Sequence, residues 1–223
     1  MTNQEFSNEF DILYNNIMSN QAPGLDEYEK SVLLTQSQEG LIKSLYNGSN
    51  PTGESLEETE ELRRYLSELV KTSIAKKIPL TTSIGLSDNS TFFLLPDDVW
   101  FITYESVILE DSKLGCMNGK SVSVVPVTQD TFSKINDNPF KGPNNRKVLR
   151  LDADLNKVEL VSKYNIKEYK LRYITKPSPI ILTDLDEGLS IDGISKETEC
   201  KLNPVLHRNI LERAVQLAST LYK

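Results

Sequence analysis

His207 is the only histidine in the chain and therefore the first candidate for chemistry. An imidazole can act as a general base near neutral pH or as a nitrogen ligand to a metal. A histidine-based catalytic triad or a multi-histidine metal site could form only around this single ring. Its position near the start of an amphipathic segment favours a packing or surface role instead.

Three residues with alternate spacing, Asp152, Asp154 and Asn156, match the beginning of a calcium-binding loop. Such a loop needs glycine at its sixth position and a bidentate glutamate at its twelfth. Those two positions are Lys157 and Lys163, so the match fails. A polar hairpin turn between the apolar runs on either side explains the same residues.

Two pairs of carboxylates, Asp97-Asp98 and Asp184-x-Asp186, are of the kind that general acid and base catalysis uses. Nothing in the sequence indicates partners for either pair. The first pair follows a proline and is typical of a turn whose side chains bond their own backbone, and the second lies in a predicted loop.

The other candidate ligands and nucleophiles are equally weak. The acidic run from Glu57 to Glu61 could hold a metal, but acidic residues in a first helical turn also complement the helix dipole. Cys116 and Cys200 are too few and too far apart for a disulfide framework or a zinc site. No G-x-S-x-G elbow and no G-x-x-x-x-G-K phosphate loop occurs. We therefore expect no catalytic, cofactor-binding or metal-binding residue, and no cofactor.

The composition is that of a globular protein. Hydrophobic residues make up 38% of 223 positions, enough for a core in one large domain or two small ones. The net charge of −7 argues against sequence-independent nucleic-acid binding, which needs lysine and arginine to neutralise phosphates. No run approaches the roughly 20 apolar residues of a membrane span, and the first ten residues lack the regions of a signal peptide. We expect the protein to stay in a cytoplasm after synthesis.

The first third of the chain predicts three helices, each with a start signal. Thr2 with Glu5 and Asp26 with Glu29 have the spacing of capping boxes, and Ser55 with Glu58 repeats it. Spacings of three and four predict the buried face of each helix. The predicted faces are Phe6, Phe10, Leu13 and Ile17 in the first helix, Val32, Leu34, Leu41 and Leu45 in the second, and Leu62, Leu66, Leu69 and Val70 to Ile74 in the third.

From about residue 80 the pattern changes to short β-branched and aromatic runs between turn residues, which predicts strands. Asp97 to Tyr104 fits either a strand or a short helix. Asn118-Gly119 predicts a hairpin with a type I′ turn, because both residues tolerate positive φ. The predicted strands are Leu80 to Ile84, Thr91 to Leu95, Ser106 to Leu109, Ser121 to Val127, Lys147 to Leu151, Val158 to Ser162 and Tyr169 to Ile174.

The last part of the chain predicts an extended segment and a final helix. The prolines of Lys176-Pro177-Ser178-Pro179 exclude a helix there, and Ile180 to Leu182 then predicts a last strand. Asn203 is a helix cap and Pro204 a favoured first helical residue. The helix carries two adjacent apolar stripes that either pack on the first three helices or bind another subunit: Leu206, Ile210, Ala214, Leu217 and Leu221, and Leu211, Val215 and Ala218.

Seven segments form an ordered pattern over nearly the whole chain: Asn8 to Tyr14, Ala22 to Ser31, Leu95 to Val99, Val125 to Asp130, Asn138 to Pro143, Arg172 to Leu182 and Cys200 to Ala214. In this order they resemble the virion structural proteins of crAss-like phages, tailed viruses of gut Bacteroides-type bacteria. The resemblance is to their head-to-tail connector or ring proteins.

The resemblance implies a subunit of a closed ring, twelvefold by analogy with portals, that stacks on the portal and surrounds the DNA channel. The family's role is assembly, so there are no catalytic residues to carry over. A closed ring needs a heterologous interface, in which one patch of a subunit meets a different patch of the next. The loops Asn136 to Asn145 and Thr183 to Ser195 are the segments most able to bridge subunits.

We therefore predict an α+β fold. Residues 1–80 and 200–223 form a helical adaptor bundle of three N-terminal helices plus the C-terminal helix, and residues 81–199 form an inserted, mostly antiparallel β module. The predicted protein is no enzyme but a homo-oligomeric ring of the virion's head–tail connector, made in the host bacterial cytoplasm. Its predicted partners are the portal and other neck or tail ring proteins, with DNA passing through unbound and no membrane contact.

Two alternatives stay open at this stage. One is a small hydrolase or nucleotide-modifying enzyme that uses Asp97, Asp98 or His207. The other is a minor scaffolding or cargo protein of the same virus.

Overall fold

The computed structural model describes residues 1–18, 23–48, 59–79, 85–154 and 156–221. The chain divides into two compact units, one of Met1–Leu69 with Lys176–Lys223 and one of Val70–Thr175. Helices lie towards both ends of the chain and a large sheet is formed between them, so the predicted α+β class is confirmed. Among the described residues, no helix is long and apolar enough to cross a membrane.

The first helix, α1, spans Asn3–Met18 and begins at the predicted capping box. The Thr2 hydroxyl accepts a hydrogen bond from the Glu5 N–H at 3.2 Å, and the Glu5 carboxylate accepts one from the Thr2 N–H at 2.8 Å. The predicted buried face is wrong in its second half, because Ile17 is 55% exposed. The face of α1 that packs against the C-terminal helix ends at Tyr14 instead. The buried residues are Asn3, Phe6, Phe10 and Tyr14.

The second helix, α2, spans Glu27–Asn47 and also begins at its predicted capping box. The Asp26 carboxylate accepts from the Glu29 N–H at 2.7 Å, and the Glu29 carboxylate accepts from the Asp26 N–H at 3.1 Å. The helix ends at Gly48, whose φ of 71° is the left-handed conformation that glycine adopts without a steric cost.

The third helix is shorter than predicted. Helix α3 spans Glu60–Leu66 and continues as one 3₁₀ turn over Ser67–Leu69, while the predicted start at Ser55 and Glu58 lies outside the described residues. The prediction that the helix runs on through Ile74 is wrong. Residues Val70–Ile74 form strand β1, because this β-branched run pairs with a strand about a hundred residues later.

The sheet contains eight strands among the described residues, in the order β1-β8-β4-β5-β6-β7-β3-β2. Neighbouring strands are antiparallel except for β5 and β6, which are parallel. The end strands β1 and β2 are separated by Ala75 alone, so the strand order begins and ends on one continuous segment. The strands after β1 are β2 (Lys76–Ile78), β3 (Ser90–Leu94), β4 (Val99–Leu109), β5 (Ser121–Pro126), β6 (Lys147–Asp154), β7 (Lys157–Val161) and β8 (Ile166–Thr175).

Six of the predicted strands are confirmed as β3 to β8, and the predicted strand at residues 80–84 lies outside the described residues. Of the two possibilities for Asp97 to Tyr104, the strand is correct from Val99 onward. The main core of the sheet contains alternating residues from most strands. Its largest members include Phe93, Leu109, Leu160, Tyr169, Leu171 and Tyr173.

The connection between β4 and β5 corrects the predicted turn. The two strands pair, as a hairpin requires, but a 3₁₀ segment over Ser112–Met117 lies between them. The type I′ turn is wrong because Asn118 has φ −60° and ψ 133°, and only Gly119 has positive φ, at 74°. These angles, with the hydrogen bond from the Lys120 N–H to the Met117 carbonyl, describe a type II turn.

A short helix, α4, spans Phe132–Asn136 between β5 and β6. Phe132 is buried, and Ile135 packs beside it on a second apolar cluster of the sheet. The sheet residues of this cluster are Leu149, Leu151 and Val161. The helix is therefore fixed to the strands that follow it in sequence.

The C-terminal helix, α5, spans Pro204–Leu221 and begins as predicted, with the Val205 N–H donating to the Asn203 side chain at 3.1 Å. Helices α1 and α2 both contact α5. Most of its two apolar stripes is therefore buried within its own unit, but Leu221 is 67% exposed.

The segment Ile180 to Leu182 is extended, but the prediction that it is a strand of the sheet is wrong. Its backbone makes one isolated bridge, between Ile181 and Thr198. The Ile181 carbonyl also accepts from the Asn3 amide of α1 at 3.1 Å. The N–H groups of Ile180 and Leu182 donate to side chains of α2, as described below.

Candidate functional site

His207 has structural partners on both ring nitrogens. The Nε2 atom lies 2.8 Å from the Leu202 carbonyl oxygen, which can only accept, so Nε2 carries the proton. The Nδ1 atom then accepts from the Met1 amino group at 2.8 Å. Burial lowers the pKa of the imidazole, and the positive charge of Met1 lowers it further. The ring also packs on Phe6 at 5.4 Å, so the geometry supports the packing role.

Asp97 and Asp98 form hydrogen bonds with different partners. The Asp98 carboxylate accepts from the Lys71 ammonium at 2.7 Å and from the Tyr173 hydroxyl at 2.9 Å, whereas Asp97 accepts from the Asn156 amide at 3.2 Å. The hydrogen bond from Lys71 lowers the pKa of Asp98. Burial, together with Asp98, raises the pKa of Tyr173 to about 12. The pair is thus part of a polar network between strands, and its partners come from distant parts of the sequence.

The failed calcium loop is the turn between β6 and β7, as predicted. Asn156 has φ 56°, a left-handed conformation that asparagine tolerates at tight turns. Asp154 lies 3.4 Å from the Lys157 ammonium, and Asp152 lies 3.5 Å from the Arg150 guanidinium. Each carboxylate is therefore paired with a cation of the hairpin itself.

The other predicted candidates are dispersed. Asp184 accepts a hydrogen bond from the Glu197 N–H at 2.8 Å and so closes the loop that contains Asp186. Cys116 is exposed and Cys200 half-buried, and both are free thiols. Part of the acidic run Glu57 to Glu61 lies outside the described residues. Within the described part of the chain, no three His, Cys, Asp or Glu side chains are grouped so that they could hold a metal ion.

The structure adds a buried charged cluster on β4, β6 and β8 that the sequence did not predict. The Arg150 guanidinium lies 2.7 Å from one carboxylate oxygen of Glu105, and the Tyr169 hydroxyl donates to the other at 2.6 Å. Burial alone would lower the pKa of Arg150, but the neighbouring carboxylates outweigh it and the pKa is raised. Burial and the Glu105 carboxylate raise the pKa of Tyr169. Both carboxylate oxygens of Glu105 are thus engaged, one by Arg150 and one by Tyr169.

A second buried charge links α1 to α2. The Lys30 ammonium, whose side chain is 4% exposed, lies 2.8 Å from Asp11 and 3.0 Å from Glu27. It also donates to the Ser7 hydroxyl at 3.2 Å. Burial would lower the pKa of Lys30, but its hydrogen bonds to the two carboxylates raise it. The cluster holds two helices together and contains no open position for a ligand.

A polar face of α2 explains why this helix buries hydroxyl and amide side chains. The Ser31 hydroxyl accepts from the Leu182 N–H at 3.0 Å, and the Thr35 hydroxyl accepts from the Ile180 N–H at 3.1 Å. The Gln38 amide donates to the Ser178 carbonyl at 3.0 Å. Every second residue of the extended segment thus meets every third or fourth residue of the helix. An apolar-periodicity search cannot find this face, because its members are polar.

The surface of the described residues includes a polar groove and an apolar groove, and the candidate catalytic residues Asp97, Asp98 and His207 line neither of these two. The first is polar and lies beside α3, where its lining residues are Glu60, Glu61, Arg64, Tyr65 and Asn203. The second, called the α2–α5 groove below, is largely apolar. It is lined by Tyr28, Glu29, Val32, Leu33, Gln36 and Leu221.

The two loops that the sequence proposed as bridges between subunits are both ordered by their own hydrogen bonds. In the loop Thr183 to Ser195, the Leu185 N–H donates to the Ser195 carbonyl at 2.8 Å. In the loop Asn136 to Asn145, the Gly142 N–H donates to the Asn138 carbonyl at 2.7 Å. The second loop carries Phe140, whose side chain is 88% exposed. An ordered loop therefore presents this side chain to solvent.

Comparison with known proteins identifies the family of the chain. Residues 1–223 match the family described as phage tail ring protein 3/4. Ring protein 3 of Bacteroides phage crAss001 is 54% identical over 219 residues, which are 98% of this chain and 95% of that protein. Ring protein 4/5 of the same phage is 38% identical over 232 residues, which cover 100% of this chain and 94% of that protein. The resemblance found in the sequence is confirmed, and the chain belongs to the tail ring protein family of crAss-like phages.

Proposed function

We propose that this protein forms a homo-oligomeric ring in the head–tail connector of the phage, stacked on the portal and surrounding the DNA channel, with twelve copies in the ring. The observation that carries the proposal is the match of the whole chain to a family of tail ring proteins. Twelvefold symmetry follows by analogy with portals. The virion is its site of action, and the host bacterial cytoplasm its site of synthesis.

The proposal includes the absence of catalysis. The sequence candidates for catalysis, Asp97, Asp98 and His207, each bind structural partners, and burial of His207 favours its neutral form. These contacts support an assembly protein without catalytic, cofactor-binding or metal-binding residues. They favour it over the hydrolase or nucleotide-modifying enzyme that the sequence left open.

The two parts of the chain would supply the two patches of the ring interface. We keep the division into a helical adaptor bundle, predicted as residues 1–80 with 200–223, and a β module, predicted as residues 81–199, as part of this proposal. Because β1 and β2 pair within the sheet, the proposed parts take the bounds of the compact units, Met1–Leu69 with Lys176–Lys223 and Val70–Thr175. The contacts of α1 and α2 with α5 support the bundle. A heterologous ring contact between a helical patch and a β patch would satisfy the requirement that unlike surfaces meet.

The acidic composition suits a channel through which DNA slides. With a net charge of −7, the chain repels a phosphate backbone on average and so limits sticking. A ring structure in which most carboxylates lie on the outer surface, facing away from the DNA, would contradict this part of the proposal.

The experiment is reconstitution with the portal. The purified chain is examined by light scattering and by electron microscopy, alone and with the portal protein of the same phage. We expect a closed ring on the portal, and a particle neck without density for this chain would overturn the proposal. Mass spectrometry of purified mature virions separates a ring protein, which is retained, from a scaffolding protein, which is lost.

A further inference from the structure

Phe140 is the most exposed large hydrophobic side chain in the described part of the chain, at 88%, and the next, Leu221, is at 67%. It is also held firmly. The Asn138 side-chain oxygen accepts from the N–H groups of Phe140 at 2.9 Å and Lys141 at 3.1 Å, and the Lys147 ammonium donates to the Phe140 carbonyl at 3.0 Å. An aromatic ring on a flexible tail would turn towards its own surface, but this turn keeps the ring pointing into solvent.

The base of this turn is rigid as well. A Cβ added at Gly142 would lie 2.7 Å from the Asn136 carbonyl oxygen and 2.9 Å from that of Asn138, so the chain is packed as closely as glycine permits. The preceding helix α4 is anchored in the sheet through Phe132. The ordering of the loop therefore precedes any binding event, which lowers the entropic cost of a contact through Phe140.

The segment around Phe140 has the opposite charge to the rest of the chain. Residues 134–147 contain four cations, Lys134, Lys141, Arg146 and Lys147, and one anion, Asp137, a net charge of +3. The whole chain has 25 cations and 32 anions, so the remaining residues have 21 and 31, a net charge of −10. None of the four cations forms an ion pair within the described residues. An acidic surface on a second copy of the chain would therefore complement the charge of this segment.

The α2–α5 groove has the features that such a side chain requires. Tyr28, Val32, Leu33 and Leu221 give it apolar walls, and Leu221 is itself 67% exposed. The groove begins at the acidic first turn of α2, which contains Glu27 and Glu29 after the capping Asp26. Phe140 belongs to the unit Val70–Thr175 and the groove to the other unit, so the two surfaces are unlike and a contact between copies is heterologous.

We infer that Phe140 of one copy inserts into the α2–α5 groove of the next copy and is the anchor of the ring interface. The basic segment 134–147 then faces the acidic start of the neighbour's α2. The inference rests on the proposed function, because it assumes that copies of this chain form a closed ring.

The experiment replaces Phe140 by a photo-crosslinking benzoylphenylalanine in the full-length protein. After illumination, with and without portal, cross-linked dimers are digested and mapped by mass spectrometry. We expect links from position 140 to residues 28–36 or to Leu221 of another copy. Links that map only to other surfaces, or to DNA in particles assembled with it, overturn the inference.

Three substitutions complete the test. Phe140→Ala and Val32→Glu are each expected to weaken ring association roughly thirtyfold or more, as loss of an interface anchor does. Tyr104→Ala is the matched control, because Tyr104 is also an exposed aromatic residue of the same unit, at 61%, and its loss should leave the ring intact. Circular dichroism of each variant checks that it is folded.

The outcomes distinguish a failure of the inferred anchor from a failure of the proposed ring. If Phe140→Ala assembles as well as the unsubstituted chain, the anchor is wrong and the proposed ring stands. Equal losses for Phe140→Ala and Tyr104→Ala also overturn the anchor. If the unsubstituted chain gives neither ring nor cross-linked dimer with portal present, the proposed function and the inference both fail.

Discussion

At the scale of single residues, the sheet buries an ion pair with a hydrogen-bonded tyrosine beside it. Glu105 and Arg150 are 9% and 12% exposed in their side chains and lie 2.7 Å apart, with Tyr169 completing the cluster. Two charges in a protein interior must be paired, because an unpaired one loses its hydration without compensation. Such a cluster contributes to the specificity of strand pairing more clearly than to net stability.

Glu105→Gln should therefore be strongly destabilising. It removes the main counter-charge of the buried Arg150 and leaves only the exposed Asp152 at 3.5 Å, which costs about 3–5 kcal/mol. The control is Glu110→Gln, which breaks a pair with Lys167 of the same length, 2.7 Å, but about half exposed on both sides, and should cost about 0–1 kcal/mol. Urea denaturation of the three proteins measures the difference. Equal losses for the two substitutions would contradict the buried-pair explanation.

His207 predicts a pH dependence of stability with a definite sign. Its pKa in the folded protein is below the ordinary value of 6.5, because the ring is buried beside the Met1 amino group. Below pH 6.5 the unfolded chain takes up a proton that the folded chain does not. Stability is therefore fully present above pH 6.5 and decreases as the pH falls towards the lowered pKa, by at most about 1.4 kcal/mol per pH unit.

The measurement is the free energy of unfolding at pH 7.5 and at pH 5.5, for the native sequence and for His207→Gln. Because His207 is the only histidine, its NMR signal reports the pKa directly. We expect a smaller pH effect in the variant. An imidazole that titrates at or above 6.5 would show that the ring is not held as described.

At the scale of elements, α2 is the helix that the sequence describes least well. Its start is predicted correctly, because a capping box depends only on residues three positions apart. Its inner face is not, because Ser31, Thr35 and Gln38 replace apolar side chains where the segment Ser178 to Leu182 lies against the helix. The only backbone bridge of this segment among the described residues is that of Ile181 with Thr198, so the N–H groups of Ile180 and Leu182 need side chains as partners.

Thr35→Val tests this arrangement. It keeps the shape of the side chain but removes the hydroxyl that accepts from the buried Ile180 N–H, and we expect a loss of about 1–3 kcal/mol. Thr35→Ser keeps the hydroxyl and serves as the control, with a smaller loss. Hydrogen exchange at the Ile180 amide should accelerate in the valine variant alone. Unchanged exchange there would mean that Thr35 is not the partner that protects this amide.

Gly142→Ala tests the rigidity of the loop that carries Phe140. A methyl group at this position would approach two carbonyl oxygens within 3 Å, so the turn must open. Gly24→Ala is the control, since nothing lies within 4 Å of its added Cβ. We expect faster proteolysis or hydrogen exchange over residues 136–145 in the first variant and no change in the second. A loop that stays protected in both would contradict the close packing at Gly142.

At the scale of the whole molecule, net charge determines the expected behaviour towards DNA. The chain has 32 acidic and 25 basic residues, so its average charge repels a phosphate backbone instead of neutralising it. We expect no binding of a labelled duplex in fluorescence anisotropy at about 150 mM salt, with a known DNA-binding protein as positive control. Binding at micromolar concentration would contradict a channel wall that DNA passes freely.

The order of the strands belongs to the same scale, and the sequence did not predict it. Alternating apolar residues located six of the strands, but not the parallel pairing of β5 with β6 or the position of β1 beside β8. Val70–Ile74 was predicted as the end of a helix, since a run of five residues after a helical stripe satisfies either period. Pairing with β8 favours the strand.

By itself, the sequence determined the features that depend on neighbours within a few positions: both described capping boxes, the start of α5 at Asn203-Pro204, the β6–β7 hairpin and the α+β class. It also determined the family resemblance, which depends on the identities of residues and on the order of the segments that contain them. Only the tertiary structure decided which side chains are buried together, such as Glu105 with Arg150 or Thr35 with Ile180. The physical reason is that local hydrogen bonds form between residues close in the chain, whereas these two buried contacts join residues 45 and 145 positions apart.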